Sequence, residues 1–143
     1  MGTPHILLVD GNEAELLRMA RGLEAEGFSV HTARTADEAE EQTRRVRPDL
    51  ALVELHVPGT HGLHLARALR RLDASLVVVL TSAFELSGRQ IERCDCGATA
   101  FVRKPQSPAE VAVALRNALE QANGPSSGTR WYAAANQVEA ALA

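Results

Sequence analysis

Residues 48–62, PDLALVELHVPGTHG, decide the fold of this 143-residue chain. The apolar run Leu50–Leu55 has the length of a strand and carries one carboxylate, Glu54. An apolar run without alternation is typical of a parallel strand that helices cover on both faces. Pro58 and Gly59 then end the strand and turn the chain. Ligand and reaction sites lie at the carboxyl ends of such strands, so Glu54 is a candidate site residue, with a solvated strand-end acid as the alternative.

The composition and charge of the chain indicate one globular domain. Apolar residues make up 45% of the sequence and aromatic residues 3%, so the core must consist mainly of Leu, Val, Ile and Ala. The net charge of −3 gives no electrostatic case for binding nucleic acid or an anionic membrane. No apolar run approaches the roughly 18 residues of a membrane span, and the start MGTPHILLVD lacks a basic signal-peptide region. We therefore expect a cytoplasmic domain.

Strand-like and helix-like patterns alternate five times along residues 1–122. The predicted strands are Ile6–Val9, Ser29–Ala33, Leu50–Glu54, Leu76–Leu80 and Ala100–Val102. A helix is predicted after each strand, and the five helices begin near Asn12, Thr35, Leu63, Ser87 and Ser107. All of these starts except the third carry the residues of an N-terminal cap. Five strand-then-helix units predict an α/β fold, with a five-stranded parallel sheet flanked by five helices.

The residues after this predicted domain divide into a linker and a tail. Residues 123–129, NGPSSGT, have the composition of a linker. In residues 130–143, apolar side chains recur every three to four positions, at Trp131, Ala135, Val138 and Leu142. This spacing predicts a short C-terminal helical tail, which is too short to be stable in water alone.

Polar side chains lie at the ends of four of the five predicted strands, namely Asp10, Glu54, Thr81 and Lys104. Because the carboxyl ends of parallel strands meet at one edge of a sheet, we expect these four side chains to converge. Two carboxylates, a hydroxyl and an ammonium at successive strand ends are harder to explain as solvated surface than a single acid. The sequence therefore predicts one polar cluster at this edge.

The stretches ILLVD, PDLALVELHVPGTHG, VVVLTS and AFVRKP resemble the motifs of the response-regulator receiver domain. The resemblance extends from residue 5 to about residue 122. It implies a flavodoxin-like (βα)5 receiver fold. It also implies a role in two-component phosphorelay signalling, in which receivers accept a phosphoryl group from a histidine kinase onto an aspartate. In that family, magnesium is held by an acidic pair.

The resemblance assigns roles to four residues of this sequence. Asp10 matches the first acid of the acidic pair, and Thr81 matches the hydroxyl switch residue. Phe101 matches the aromatic switch position, and Lys104 matches the invariant lysine. The family pattern further implies that the Lys104–Pro105 peptide bond is cis, which X–Pro bonds permit at about 0.5–1 kcal/mol.

Two positions depart from the family pattern, and both weaken phosphotransfer. The second acid is Gly11, which removes one of the oxygen ligands that magnesium takes at about 2.0–2.1 Å. The phosphoacceptor position is Glu54, whose extra methylene moves its oxygens by up to about 1.5 Å. A misplacement of about 1 Å can lower a rate on the order of a hundredfold. We expect no phosphotransfer, no cofactor and at most weak magnesium binding, with Asp10 and Glu54 as remnants of a magnesium site.

These observations predict a non-enzymatic pseudo-receiver that acts by phosphorylation-independent protein–protein interaction. Its partner would be a kinase, another regulator or a second copy of the chain, and neither nucleic acid nor a membrane. One alternative is a working receiver that uses Glu54 or a nearby acid as phosphoacceptor. Another is a flavodoxin-like nucleotide or flavin binder, although the sequence has no phosphate-binding loop after the first strand. Glu54 itself either mimics a phosphoryl group or only pairs with Lys104 in a domain with one fixed state.

Histidines and cysteines offer two further groups of possible metal ligands. His56, His61 and His64 follow the third strand, but an open loop is a poor metal site and we expect these side chains to be solvated. Cys94 and Cys96 lack the two-residue spacing of zinc and redox motifs. The sequence therefore predicts no metal site outside the strand ends.

Overall fold

A parallel β-sheet forms the centre of the computed structural model, which describes residues 2–83, 98–122 and 132–133. Its main strands are β1 (His5–Val9), β2 (Ser29–Ala33), β3 (Leu50–Glu54), β4 (Val77–Ser82) and β5 (Ala98–Arg103). These strands pair in the order β2-β1-β3-β4-β5, and every pair is parallel. The predicted five-stranded flavodoxin-like sheet is confirmed.

The helices of the described residues are α1 (Glu13–Ala25), α2 (Ala36–Val46), α3 (Gly62–Leu72) and α4 (Pro108–Ala122). Three predicted N-terminal caps form as hydrogen bonds. The side chains of Asn12, Thr35 and Ser107 accept from backbone N–H groups three residues later, at 3.0–3.1 Å. Each bond satisfies an N–H group that has no partner inside its helix. The helix predicted to begin near Ser87 lies outside the described residues.

Buried side chains form two core clusters, one on each face of the sheet. On one face, Ile6 and Leu8 of β1 lie in a cluster that includes buried residues of α1 and α4. On the other face, Leu7 and Val9 lie in a cluster that includes buried residues of α2 and α3. Successive side chains of a strand point to opposite faces, so both faces must be apolar. This explains why β3 reads as an apolar run without alternation.

A tight connection links β3 to α3. His56–Val57 pairs antiparallel with Thr60–His61 around the Pro58–Gly59 turn, and Gly59 has a φ of 95° that favours glycine. The backbone N–H of Gly62 donates to the carbonyl of Leu55 at 2.7 Å. A Cβ at position 62 would lie 2.6 Å from the Glu54 carbonyl oxygen, so only glycine lets α3 begin this close to β3.

Two residues of the C-terminal tail form a strand where we predicted helix. Tyr132 and Ala133 pair in parallel with Ala100 and Phe101 of β5. The edge of β5 offers unpaired backbone groups, whereas an isolated helix of this length is marginal in water, which accounts for the difference. The rest of the predicted linker and tail lies outside the described residues, so the domain boundaries stay predictions. Within the part of the chain that is described, no helix is long and apolar enough to cross a membrane.

Candidate functional site

The side chains of Asp10, Glu54 and Lys104 meet at the carboxyl edge of the sheet. Lys104 Nζ lies 2.6 Å from Glu54 Oε1 and 2.8 Å from Asp10 Oδ2. Glu54 is the last residue of β3, while Asp10 and Lys104 directly follow β1 and β5. We refer to these three residues as the ion triad. The ammonium joins carboxylates that are 44 residues apart in the sequence and belong to neighbouring strands.

Backbone N–H groups complete the hydrogen bonding of the ion triad. Asp10 Oδ1 accepts from the N–H of Asn12 at 2.9 Å, and Glu54 Oε2 accepts from the N–H of His56 at 3.3 Å. Each of the four carboxylate oxygens therefore has one donor within 3.3 Å. The side chains of Glu54, Asp10 and Lys104 are only 10%, 14% and 23% exposed. Solvent therefore screens these contacts less than it screens a surface ion pair.

The electrostatics of the ion triad favour a protonated lysine. Burial of Lys104 by itself would lower the pKa of its amine, but hydrogen bonds and charge from Asp10 and Glu54 outweigh that effect and raise the pKa. Two carboxylates and one ammonium leave a net charge of −1. The lysine thus cancels half of the negative charge of the two acids.

Thr81 and Phe101, the predicted switch positions, are both buried. Thr81 is paired in register with Glu54, and its carbonyl accepts from the N–H of Leu55 at 3.0 Å. Among the described residues, no hydrogen bond joins the Thr81 hydroxyl to Glu54. Phe101 is 4% exposed and packs in the core cluster on the α2 and α3 face. The aromatic side chain is therefore turned inward.

Gly11, where the family pattern has an acid, lies against Pro58. A Cβ at position 11 would be 2.7 Å from Pro58 Cδ and 2.9 Å from Pro58 Cγ. Non-bonded carbon atoms do not approach each other this closely. The proline ring therefore occupies space that a side chain at position 11 would need. Both residues line the open cleft above the ion triad, together with Asn12, His56, Ser82 and Ala83.

Sequence reasoning identified the side chains of the site but missed contacts made by the chain around them. Of the four side chains predicted to converge, Asp10, Glu54 and Lys104 are in contact, whereas Thr81 lies beside Glu54 in register without a hydrogen bond to it among the described residues. The predicted cis bond at Lys104–Pro105 is confirmed. Sequence reasoning missed Pro58 against Gly11 and the backbone donors of Asn12 and His56. The glycine directly after a strand-end acid was a signal of close approach, but no sequence pattern names the residue that approaches it.

The other candidate ligands do not add a metal site to the described residues. The ring centroids of His56 and His61 are 6.2 Å apart, and those of His61 and His64 are 6.4 Å apart. No group of three or more His, Cys, Asp or Glu side chains in residues 2–83 and 98–122 could hold a metal ion. Cys94 and Cys96 lie outside the described residues.

Comparisons with known proteins place this geometry in a family. A family model described as the response regulator receiver domain matches residues 6–116. The transcriptional regulatory protein ResD of Bacillus subtilis (strain 168) is 33% identical over 122 residues, which cover 85% of this chain and 50% of that protein. The phosphate regulon transcriptional regulatory protein PhoB of Rhizobium meliloti (strain 1021) is 34% identical over 122 residues, covering 83% and 53%. The chain thus spans about half the length of these relatives.

Solved structures agree with the family match. A two-component response regulator of the LuxR family from Aurantimonas sp. SI85-9A1 has a TM-score of 0.76 and 27% identity, covering 96% of this chain and 94% of that one. A CheY-like response regulator receiver domain protein from Methanospirillum hungatei JF-1 has a TM-score of 0.77 at 24% identity, covering 84% and 96%. The second likeness shows the fold alone. Because the family model matches most of its length, the chain belongs to the response regulator receiver domain family.

Proposed function

We propose that this receiver is a pseudo-receiver, which works by binding another protein without a phosphorylation cycle. The observation that carries the proposal is the pair of departures from the family pattern in this cleft, namely Gly11 packed against the Pro58 ring and Glu54 at the phosphoacceptor position, bonded to Lys104. The ammonium and the N–H of His56 each bond to one oxygen of the residue at the phosphoacceptor position. These bonds fix the orientation in which Glu54 would meet a phosphoryl donor.

Phosphoryl transfer depends on positioning and on neutralisation of developing charge. The cleft has two carboxylates instead of the three that the family pattern provides, and Lys104 leaves them with a net charge of −1. Glu54 also places its oxygens farther from the backbone than an aspartate would. These features therefore oppose phosphoryl transfer, because both the positioning of the acceptor and the neutralisation of developing charge are impaired. They support a binding role.

We infer that the residues of this cleft do not suit a magnesium ion. Magnesium takes near-ideal octahedral oxygen ligands at about 2.0–2.1 Å. Gly11 supplies no ligand, Pro58 fills the space beside it, and Lys104 already bonds to the remaining acids. The domain is accordingly proposed to need neither a metal nor another cofactor.

The partner of the domain is proposed to be a kinase, another regulator or a second copy of the chain. The named relatives are transcriptional regulatory proteins of which this chain matches about half. Because the net charge of −3 gives no electrostatic case for nucleic acid or an anionic membrane, this domain is proposed to act on other proteins. The cytoplasm, where a kinase or another regulator would be met, is the proposed location. The alternative of a nucleotide or flavin binder gains no support from the family match, which is to receivers.

Glu54 is proposed to hold the domain in one fixed state. Its oxygens bond to Lys104 and to the His56 N–H, and within the described residues neither bonds to Thr81. A phosphoryl mimic would be expected to engage the Thr81 hydroxyl. Phe101 is turned inward, which is also the orientation that a phosphoryl mimic would favour, so the fixed-state proposal rests on the bonds of Glu54 and not on Phe101.

Intact mass after incubation with a small phosphodonor and magnesium tests the proposal. The wild type should gain no phosphoryl group, and millimolar magnesium should leave its melting temperature unchanged, because a ligand stabilises only near or above its dissociation constant. The matched control carries Gly11→Asp and Glu54→Asp, and a third variant adds Pro58→Ala to free the space beside position 11.

Phosphorylation of either control with none in the wild type would support the proposal. A base-labile gain of one phosphoryl group on wild-type Glu54 would overturn it in favour of a working receiver. A saturable rise in wild-type melting temperature with magnesium, but not with sodium, would contradict the inference about the metal.

A further inference from the structure

Two histidines are joined directly at the end of the sheet remote from the ion triad. His5 Nδ1 lies 3.1 Å from His31 Nε2. The two ring planes are within 15° of parallel and their centroids are 5.4 Å apart. His5 begins β1, and His31 lies in the edge strand β2, two residues beyond the register partner of His5. The contact therefore links the edge strand to the centre of the sheet through side chains as well as backbone.

A hydrogen bond between two imidazoles limits how many protons the pair can hold. One nitrogen must donate and the other must accept, so the bond survives with both rings neutral or with one excess proton. A second excess proton would place two N–H groups head-on at 3.1 Å and add like-charge repulsion. In the unfolded chain, both histidines accept protons freely near pH 6.5.

The surrounding charges decide which ring keeps its lone pair. Burial first, then the charges of His5 and of Arg45 on α2, lower the pKa of His31. Asp49, just before β3, accepts from the backbone N–H of His5 at 2.8 Å and places a negative charge on that side. We therefore assign His5 as the donor and His31 as the acceptor, with the proton of neutral His31 on Nδ1.

We propose that His5 and His31 form a proton-limited clamp, which adds to the backbone pairing of the edge strand β2 with β1 at neutral pH and is lost in mild acid. The unfolded or opened chain binds more protons than the clamped one, so protection of this edge falls as pH falls below about 6.5. Each pH unit by which the clamp lowers the pKa for binding the second proton corresponds to about a tenfold change in the equilibrium constant for opening. The device lies in the fold itself and needs no ligand.

Nitrogen-15 NMR of the histidines and amide hydrogen exchange test the clamp on the full chain, with a chelator present. At about pH 7.5, His31 should show a protonated Nδ1 and an unprotonated Nε2. Between about pH 7 and pH 5, the protection factors of the β1 and β2 amides, which compare measured with intrinsic exchange rates at each pH, should fall by about tenfold.

Three variants separate the clamp from a merely structural contact. His31→Gln keeps an acceptor that does not titrate, so its strand-edge protection should vary less than about twofold over the same range. His31→Ala should lose the protection already at neutral pH. His64→Gln, at an exposed histidine far along the chain, should behave like the wild type. Independent titration of His5 and His31 near pH 6.5, or equal pH dependence in wild type and His31→Gln, would overturn the proposal.

Discussion

The chain contains a single lysine, Lys104, and it bonds to two acids. The Lys104 side chain is mostly buried, so its positive charge is stabilised by those acids more than by water. If Glu54 becomes neutral, Lys104 keeps Asp10 but loses its shorter contact. The free energy of unfolding and the reactivity of the Lys104 amine should therefore both report on the contact between Lys104 and Glu54.

Glu54→Gln should lower the free energy of unfolding by about 1–3 kcal/mol, because it leaves a mostly buried ammonium with half of its compensation. The same change should lower the Lys104 pKa toward its ordinary value of 10.5. Labelling of Lys104 by an amine-reactive ester near pH 8 should then speed up by about tenfold per pKa unit. Urea unfolding and peptide mass mapping measure the two effects.

A matched control for this prediction is Glu15→Gln, which removes a partly exposed carboxylate from the ion pair with Arg18 on α1. It should change neither Lys104 labelling nor stability by more than about 1 kcal/mol. Partner binding by Glu54→Gln should fall only as far as folding does. Lost binding with unchanged stability would instead favour the phosphoryl-mimic interpretation of Glu54.

At the scale of elements, the junction between β3 and α3 positions the acid of the ion triad. Gly62 starts the helix against the Glu54 carbonyl, and the Pro58–Gly59 turn brings the N–H of His56 to the Glu54 carboxylate. The backbone on both sides of the glutamate is thus held by close packing. A substitution at the start of α3 should therefore move the Glu54 side chain in the ion triad.

Gly62→Ala should lower the free energy of unfolding by about 2–3 kcal/mol, because its Cβ would meet backbone atoms that have no alternative rotamer. Lys104 labelling should also increase, since the strand end must shift. Gly2→Ala, where a Cβ meets nothing within 4 Å, is the matched control. Wild-type stability in Gly62→Ala would show that α3 can move away from β3 without loss.

The same junction shows what the sequence predicts at this scale and what it does not. The strand, its acid, the turn and the helix could all be read from PDLALVELHVPGTHG, because apolar runs and Pro-Gly pairs act locally. The contact of Pro58 with Gly11 joins residues 47 positions apart and leaves no local pattern. The His5–His31 bond was missed for the same reason, since it depends on the register of two strands.

At the scale of the whole molecule, the strand order and the helix caps were predictable, whereas the pairing of Tyr132 and Ala133 with β5 was not. The order β2-β1-β3-β4-β5 agrees with the flavodoxin-like order that the resemblance implies. The strand at Tyr132–Ala133 was predicted as helix because periodicity carries no information about the open edge of β5. Competition between tertiary pairing and local preference decides such short segments.

Global stability should have a plateau between about pH 6.5 and pH 10.5, with a decline on either side. The pKa values of His31 and His61 are lowered, by burial first and then by neighbouring positive charges, so their contributions are present above about pH 6.5 and are lost as pH falls. The pKa of Lys104 is raised by Asp10 and Glu54, so its contribution is present below 10.5 and is lost as pH rises through the folded value.

Urea unfolding across this pH range measures the profile. His31→Gln should make the acid side less steep, with the His61 contribution remaining, and should not change the alkaline side. Glu54→Gln should make the alkaline side less steep and should not change the acid side. A profile in which both variants alter the same side would show that one of the two assignments is wrong.

The ion triad has a consequence for how the activity of such a domain is regulated. A metal ion or a phosphoryl group comes and goes with its supply in the cell, but the Lys104 ammonium is covalently attached and is always at the same effective concentration. If the proposed function is right, a receiver without a phosphorylation cycle is indifferent to chelators and to phosphodonor levels. Under the proposed function, the quantity left to vary is the number of copies of the protein, so its dose would be set by synthesis and degradation.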